Sequence, residues 1–165
     1  MSEIIHVPGQ APCHVRTVMY IGGDVLHTGY ALCYNSDSGD ITVEDDMRAN
    51  EVEQPSDANS YWFAGVVSPR SDGVQGPAMI DIIEPGSWAQ VYTDQDCTLD
   101  DVIEATRDSY VFTDTLFGWY YGATGCARCL QTVDRSNGDG PGLVFAYLLG
   151  CGTGNSYCGG EGNGG

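Results

Sequence analysis

GCARCLQTVDRSNGDGPGLVFAYLLGC, residues 125–151, contains two apolar runs, ARCLQTV (127–133) and LVFAYLL (143–149), joined by DRSNGDGPG. The joining segment is dense in Gly, Asn, Asp and Pro, the residues that tight turns between strands require. The stretch therefore predicts a β-hairpin, although its cysteines also admit a zinc site or a disulfide frame. In the second run Leu143, Phe145, Tyr147 and Leu149 point one way and Val144, Ala146 and Leu148 the other. Because both sets are apolar, the strand is expected to be shielded on both sides, by its own subunit or by a neighbour.

Zinc would draw on Cys126, Cys129, Cys151 and Cys158. A Cys-x-x-Cys pair must bring both sulfurs to one point, whereas positions three apart on a strand lie on opposite faces. A knuckle at the Gly-Cys start would rescue the geometry, and a late Cys151–Cys158 disulfide is the other alternative. Simple buried or idle thiols are the preferred reading, with no metal and no cofactor. The seven cysteines form an odd set, and a chain made in a reducing cytoplasm keeps most of them as thiols.

Working outward, the rest of the chain repeats the strand-and-turn pattern. HVRTVMYIGG (14–23), GDVLHTGYALCYN (23–35) and YWFAGVVSPRSDGVQGPAMIDIIEPGSWAQVYT (61–93) have strand-length apolar runs with turn residues between them. TLDDVIEATRD (98–108) is the exception. Thr98 is a candidate N-cap with Asp101 three residues on, and Leu99, Val102, Ile103 and Thr106 share a side at helical spacing, so it reads as one short helix or a bent β segment. Residues 46–60 are polar and aperiodic and read as a surface loop. Residues 151–165 form a Gly-rich tail. No internal repeat of useful period is evident. The fold class expected is all-β, a small β-barrel or β-sandwich with at most one short helix, in a single domain over residues 1–150.

Composition narrows the function. Twenty-three acidic residues against six basic ones, all arginine, give a net charge of −17. Nucleic acid is not expected as a partner, because such binding depends on cations that neutralise phosphates. An anionic membrane surface is excluded on the same ground. The excess acid and absent lysine suit either a functional acidic face or a host with high internal salt that screens self-repulsion, and the scatter of carboxylates along the whole chain favours the second. No run approaches the ~20 apolar residues of a membrane helix. The N-terminal MSEIIHVPGQAPC has neither a basic start nor a long apolar run, so no secretory signal is expected.

Catalytic patterns are missing: there is no G-x-S-x-G, no H-E-x-x-H and no phosphate-binding Gly loop. His6, His14 and His27 are the only side chains that titrate near neutrality by default, and Cys13 beside His14 is adjacency along the chain only. NSDSGDITVEDD (35–46) resembles a calcium loop, but its Gly is fifth where sixth is required, so a solvated turn is expected. The expectation is a protein that is not an enzyme. YWF (61–63) and FGWYY (117–121) place bulky rings on both faces of a strand, more than one thin sandwich covers. Trp62, Phe63, Trp119, Val144, Ala146 and Leu148 are accordingly the candidate interface residues.

The order of these segments resembles that of the head decoration, or cement, proteins of tailed viruses. The resemblance spans roughly residues 14–149. It is carried by Gly23, Asp24, Ala64, Gly65, Val66, Val67, Gly125, Ala127, Leu130, Thr132, Asp134 and the Leu143–Leu149 strand, with departures at 46–60, at the cysteines around Arg128 and in the tail. It implies a β-rich structural virion protein, made in the host cytoplasm, that trimerises on the outer capsid surface and clamps the major capsid protein lattice. A turret or fibre module that binds glycans, with Trp62 and Trp119 stacking on sugars, is the alternative.

Overall fold

The computed structural model describes residues 3–5, 13–35, 50–56, 58–59, 62–94, 96–114, 126–135 and 141–149. Among them there is no α-helix, and the all-β expectation holds. Ten of the eleven strands among the described residues form two closed five-stranded barrels in succession along the chain. The first contains β2 (Cys13–Tyr20), β3 (Ala31–Tyr34), β4 (Glu51–Glu53), β5 (Phe63–Val67) and β6 (Ala78–Ile83). The second contains β7 (Trp88–Thr93), β8 (Val102–Ala105), β9 (Phe112–Asp114), β10 (Cys126–Cys129) and β11 (Gly142–Leu149). A short β1 (Glu3–Ile5) pairs with the first residues of β2.

The two barrels have the same topology. Going round the first, the order is β2-β4-β3-β5-β6, closed by β6 on β2; round the second it is β7-β9-β8-β10-β11, closed by β11 on β7. In each, the first and third strands run parallel and every other pair antiparallel. The registers also correspond. Val18 faces Ile80 in the first barrel where Val91 faces Val144 in the second. Tyr20 pairs with Val52 where Thr93 pairs with Phe112. All these residues are buried, so corresponding positions fill the two interiors.

This correspondence corrects the reading that no repeat exists. Its trace in the sequence is the segment before the last strand of each barrel, RSDGVQGP (70–77) and RSNGDGP (135–141). Elsewhere the two copies share only burial, since a barrel interior accepts Tyr20 or Thr93, Val52 or Phe112, provided that the total volume suits the barrel.

Three other expectations meet the structure here. The hairpin of 127–149 forms as β10 and β11, antiparallel from Cys126↔Leu149 to Cys129↔Ala146. The segment 98–108 is no helix. Its local signal does make a turn, with the Thr98 N–H donating to Asp101 Oδ2 at 2.9 Å. Asp100 at φ 75° then takes the chain out of helical space, and β8 follows with alternating burial. The 46–60 loop is corrected as well: β4 lies inside it, and Val52 is wholly buried because the first barrel needs a third strand to close.

The barrels pack through one row of side chains. Val15, Ile83, Val66 and Ala31 lie side by side on β2, β6, β5 and β3. All four point out of the first barrel, and they join the interior of the second in one apolar cluster. Phe63 meets Phe112 edge-on, with ring centroids 6.1 Å apart. Main-chain bonds fix the alignment: Tyr92 N–H donates to Gly29 O at 3.0 Å, and Ala31 N–H to Tyr110 O at 2.9 Å. Gly29 has φ +82°, and a Cβ there would lie 2.9 Å from Gln90 O, Tyr92 N and Leu143 Cδ2. Only glycine permits that close approach.

Candidate interaction surface

Aromatic residues close the seam between the barrels. Tyr30 stacks on Tyr110, with ring centroids 5.0 Å apart, and meets Tyr92 edge-on at 5.3 Å. Tyr110 Oη donates to Asp24 Oδ2 at 2.7 Å. A phenol has one proton to give, so the 2.6 Å contact between Tyr20 and Tyr110 is a bond that Tyr20 donates. Burial first, then the hydrogen bonds to Tyr20 and Asp24, push the Tyr110 phenol far above its usual range. The hydrogen-bonded set joins Tyr110 to Tyr20 and Asp24 and acts as a clasp between barrels.

Among the described residues the histidines and Cys13 do not converge on one point. Cys13 and His14 are successive residues of β2 and therefore face opposite ways; His14 uses its backbone N–H to bind Ser87 Oγ at 2.8 Å. His27 is exposed beside Asp72, with Nδ1 3.6 Å from Oδ1. His6 lies outside the described residues. Among the described residues no group of three or more His, Cys, Asp or Glu is placed to hold a metal. Of the zinc candidates, Cys129 is buried inside the second barrel, and Cys126 stands three positions away on the same strand. Cys151 and Cys158 lie outside the described residues, as does most of the 35–46 loop.

Cys97, which spacing did not single out, meets the zinc candidate Cys129 inside the second barrel. Cys97 is held below the ordinary thiol range, at about 7, chiefly by a hydrogen bond from Cys129, with help from Thr93 and Arg135. Burial pushes the Cys33 thiol well up, and Cys13 up as well. Both Cys97 and Cys129 are almost wholly buried.

No family model and no curated protein matches this chain. Its function must therefore be read from its own surfaces. Of the interface candidates, Val144, Ala146 and Leu148 fill the interior of the second barrel, and Phe63 is covered by the barrel–barrel contact. These four are corrected: a barrel strand turns one face inward, and theirs is the inward or seam face. Trp62 is 42% exposed and is free to meet a partner. Trp119 lies outside the described residues.

The open apolar surface is the other side of the same ribbon. Phe145 is 51% exposed and Trp88 on β7 is 52% exposed. Leu143 is also exposed and Tyr147 half-buried. Tyr147 pairs with Trp88, and Phe145 with Gln90, so these rings sit on adjacent strands. Within one chain the ribbon of 143–149 is thus shielded on one face and open on the other, short of the two-sided burial expected. Period-2 alternation identified the faces; the apolarity of both concealed which one turns inward.

Proposed function

We propose that this chain is a structural virion protein that binds the outside of an assembled capsid as a homotrimer and stabilises the major capsid protein lattice. The observation that carries the reading is an open aromatic surface, Trp88 with Phe145, on the second of two closed barrels. Large exposed apolar side chains gathered on one sheet mark a contact with another macromolecule. The sequence resemblance to head decoration proteins supplies the kind of partner. A ligand that binds only the assembled lattice adds its binding free energy to that lattice, and many copies multiply a modest contact. The acidic, lysine-free surface suits such an outer layer, because it does not compete for the packaged genome.

The test is cosedimentation of the purified protein with expanded shells of the major capsid protein from the virus that encodes it, with unexpanded shells and host cells alongside. Saturable binding to expanded shells is expected. Binding to cells or soluble glycans, lost on Trp62→Ala, would favour the glycan-binding reading, which rests on the exposed Trp62 ring.

A further inference from the structure

The correspondence between the barrels identifies a docking surface. In the first barrel, Val15, Ile83, Val66 and Ala31 form a row across four strands that is buried against the second barrel. The registers give the matching row on the second barrel without ambiguity. Trp88 pairs with Tyr147, Tyr147 with Arg128, and Arg128 with Val102. Among the described residues no further barrel covers that row: Trp88 and Arg128 are exposed, and Tyr147 and Val102 half-buried.

The surface that receives the first row is equally definite. It is the interior cluster of the second barrel on the side where β7 and β9 run parallel, where Ala31 bonds Tyr110 and the neighbouring Gly29 and Phe63 meet Tyr92 and Phe112. Its counterpart on the first barrel is the parallel pair β2 and β4, where Met19 pairs with Glu51 and Tyr20 with Val52. There β1 covers the Cys13–Val15 half of the strand edge. Met19, Glu51 and Glu53 remain, each half-buried at most. The free row therefore carries one of the chain's six arginines, and the matching receiver carries two carboxylates. In a chain of net charge −17, an exposed arginine beside an aromatic pair is complementary to another copy of the same chain.

We infer that the Trp88–Tyr147–Arg128–Val102 row docks on the Met19–Glu51–Glu53 side of the first barrel of a second copy, repeating between chains the contact made within one. Such a head-to-tail contact joins different surfaces, so it closes into a ring when its rotation permits. The inference rests on the homo-oligomer reading above and names the surface that builds it.

Sedimentation and native mass measurement of four samples test it. Wild type is expected to be a closed oligomer. A donor variant, W88S with R128E, changes two exposed side chains and is expected to be a folded monomer. A receiver variant, E51R with E53R, is expected to be monomeric too; M19R replaces it if circular dichroism shows loss of fold, since Glu51 and Glu53 hold Asn35 and Asn59. Mixing donor and receiver variants leaves one intact contact per pair and is expected to give a one-to-one dimer. An oligomeric wild type whose variants stay oligomeric, or whose mixed variants stay monomeric, overturns this surface and leaves the homo-oligomer reading standing. A monomeric wild type at all concentrations overturns both.

Discussion

Replacing Gly29 by alanine separates backbone strain from crowding at the barrel–barrel seam, because Gly73 supplies a control. Both residues have left-handed φ, +82° and +79°, so both variants pay the same conformational penalty, about 1–2 kcal/mol. They differ in surroundings. A Cβ at Gly73 meets nothing within 4 Å, whereas one at Gly29 presses on three atoms of the second barrel at 2.9 Å, two of them backbone. Backbone cannot rotate away, so the seam must open or shift, at an overpacking cost of about 1–3 kcal/mol. Gly73→Ala should therefore lower unfolding free energy by about 1–2 kcal/mol and Gly29→Ala by about 2–5 kcal/mol. Urea unfolding followed by tryptophan fluorescence and by circular dichroism measures both. Equal losses in the two variants would refute the claim that the barrels are held in contact at Gly29.

Three further outcomes are expected. Val144→Asp places an unpaired charge in the second barrel and should prevent folding, while Phe145→Asp, one residue on, should leave the circular dichroism spectrum unchanged; similar behaviour of the two would reverse the assignment of faces. Melting temperature should fall as salt drops below about 0.5 M, where the Debye length exceeds roughly 4 Å, and a flat profile would remove the high-salt explanation of the acidic composition. Burial raises the Glu104 carboxyl from 4.5 to about 7, against the opposing Arg107 charge. The folded state then holds a proton that the unfolded state releases, so stability should decline as pH rises from about 4.5 to 7. Glu104→Gln should flatten that decline, and an unchanged pH profile would show that Glu104 is solvated.

Much of the fold was legible because period-2 alternation and turn chemistry are local. The 127–149 hairpin, the absence of long helices and the strand character of 61–93 all follow from such signals. Segment 98–108, which read as a short helix or a bent β segment, takes the β alternative for an instructive reason. Thr98 and Asp101 do form the turn that their spacing suggests, but a left-handed Asp100 and pairing of β8 with β9 and β10 override continuation into a helix. β4 was hidden because a three-residue strand with glutamates on either side of Val52 has too little pattern to stand out. The duplication was hidden more deeply, since barrel topology constrains where side chains are buried and leaves their identities free. The apolar character of both faces of 143–149 was legible, but its inward face was not. That choice is made by β7 and β10, whose positions are set by residues far away in sequence.

The most direct measurement of the proposed role is the temperature at which expanded, genome-filled shells stripped of this protein release their contents, recorded as the protein is added back. A ligand of the assembled lattice raises that temperature with free concentration and then approaches the logarithmic dependence of mass action, and the R128E with W88S variant should need more protein for the same shift. A release temperature that does not move at saturating protein would contradict the account.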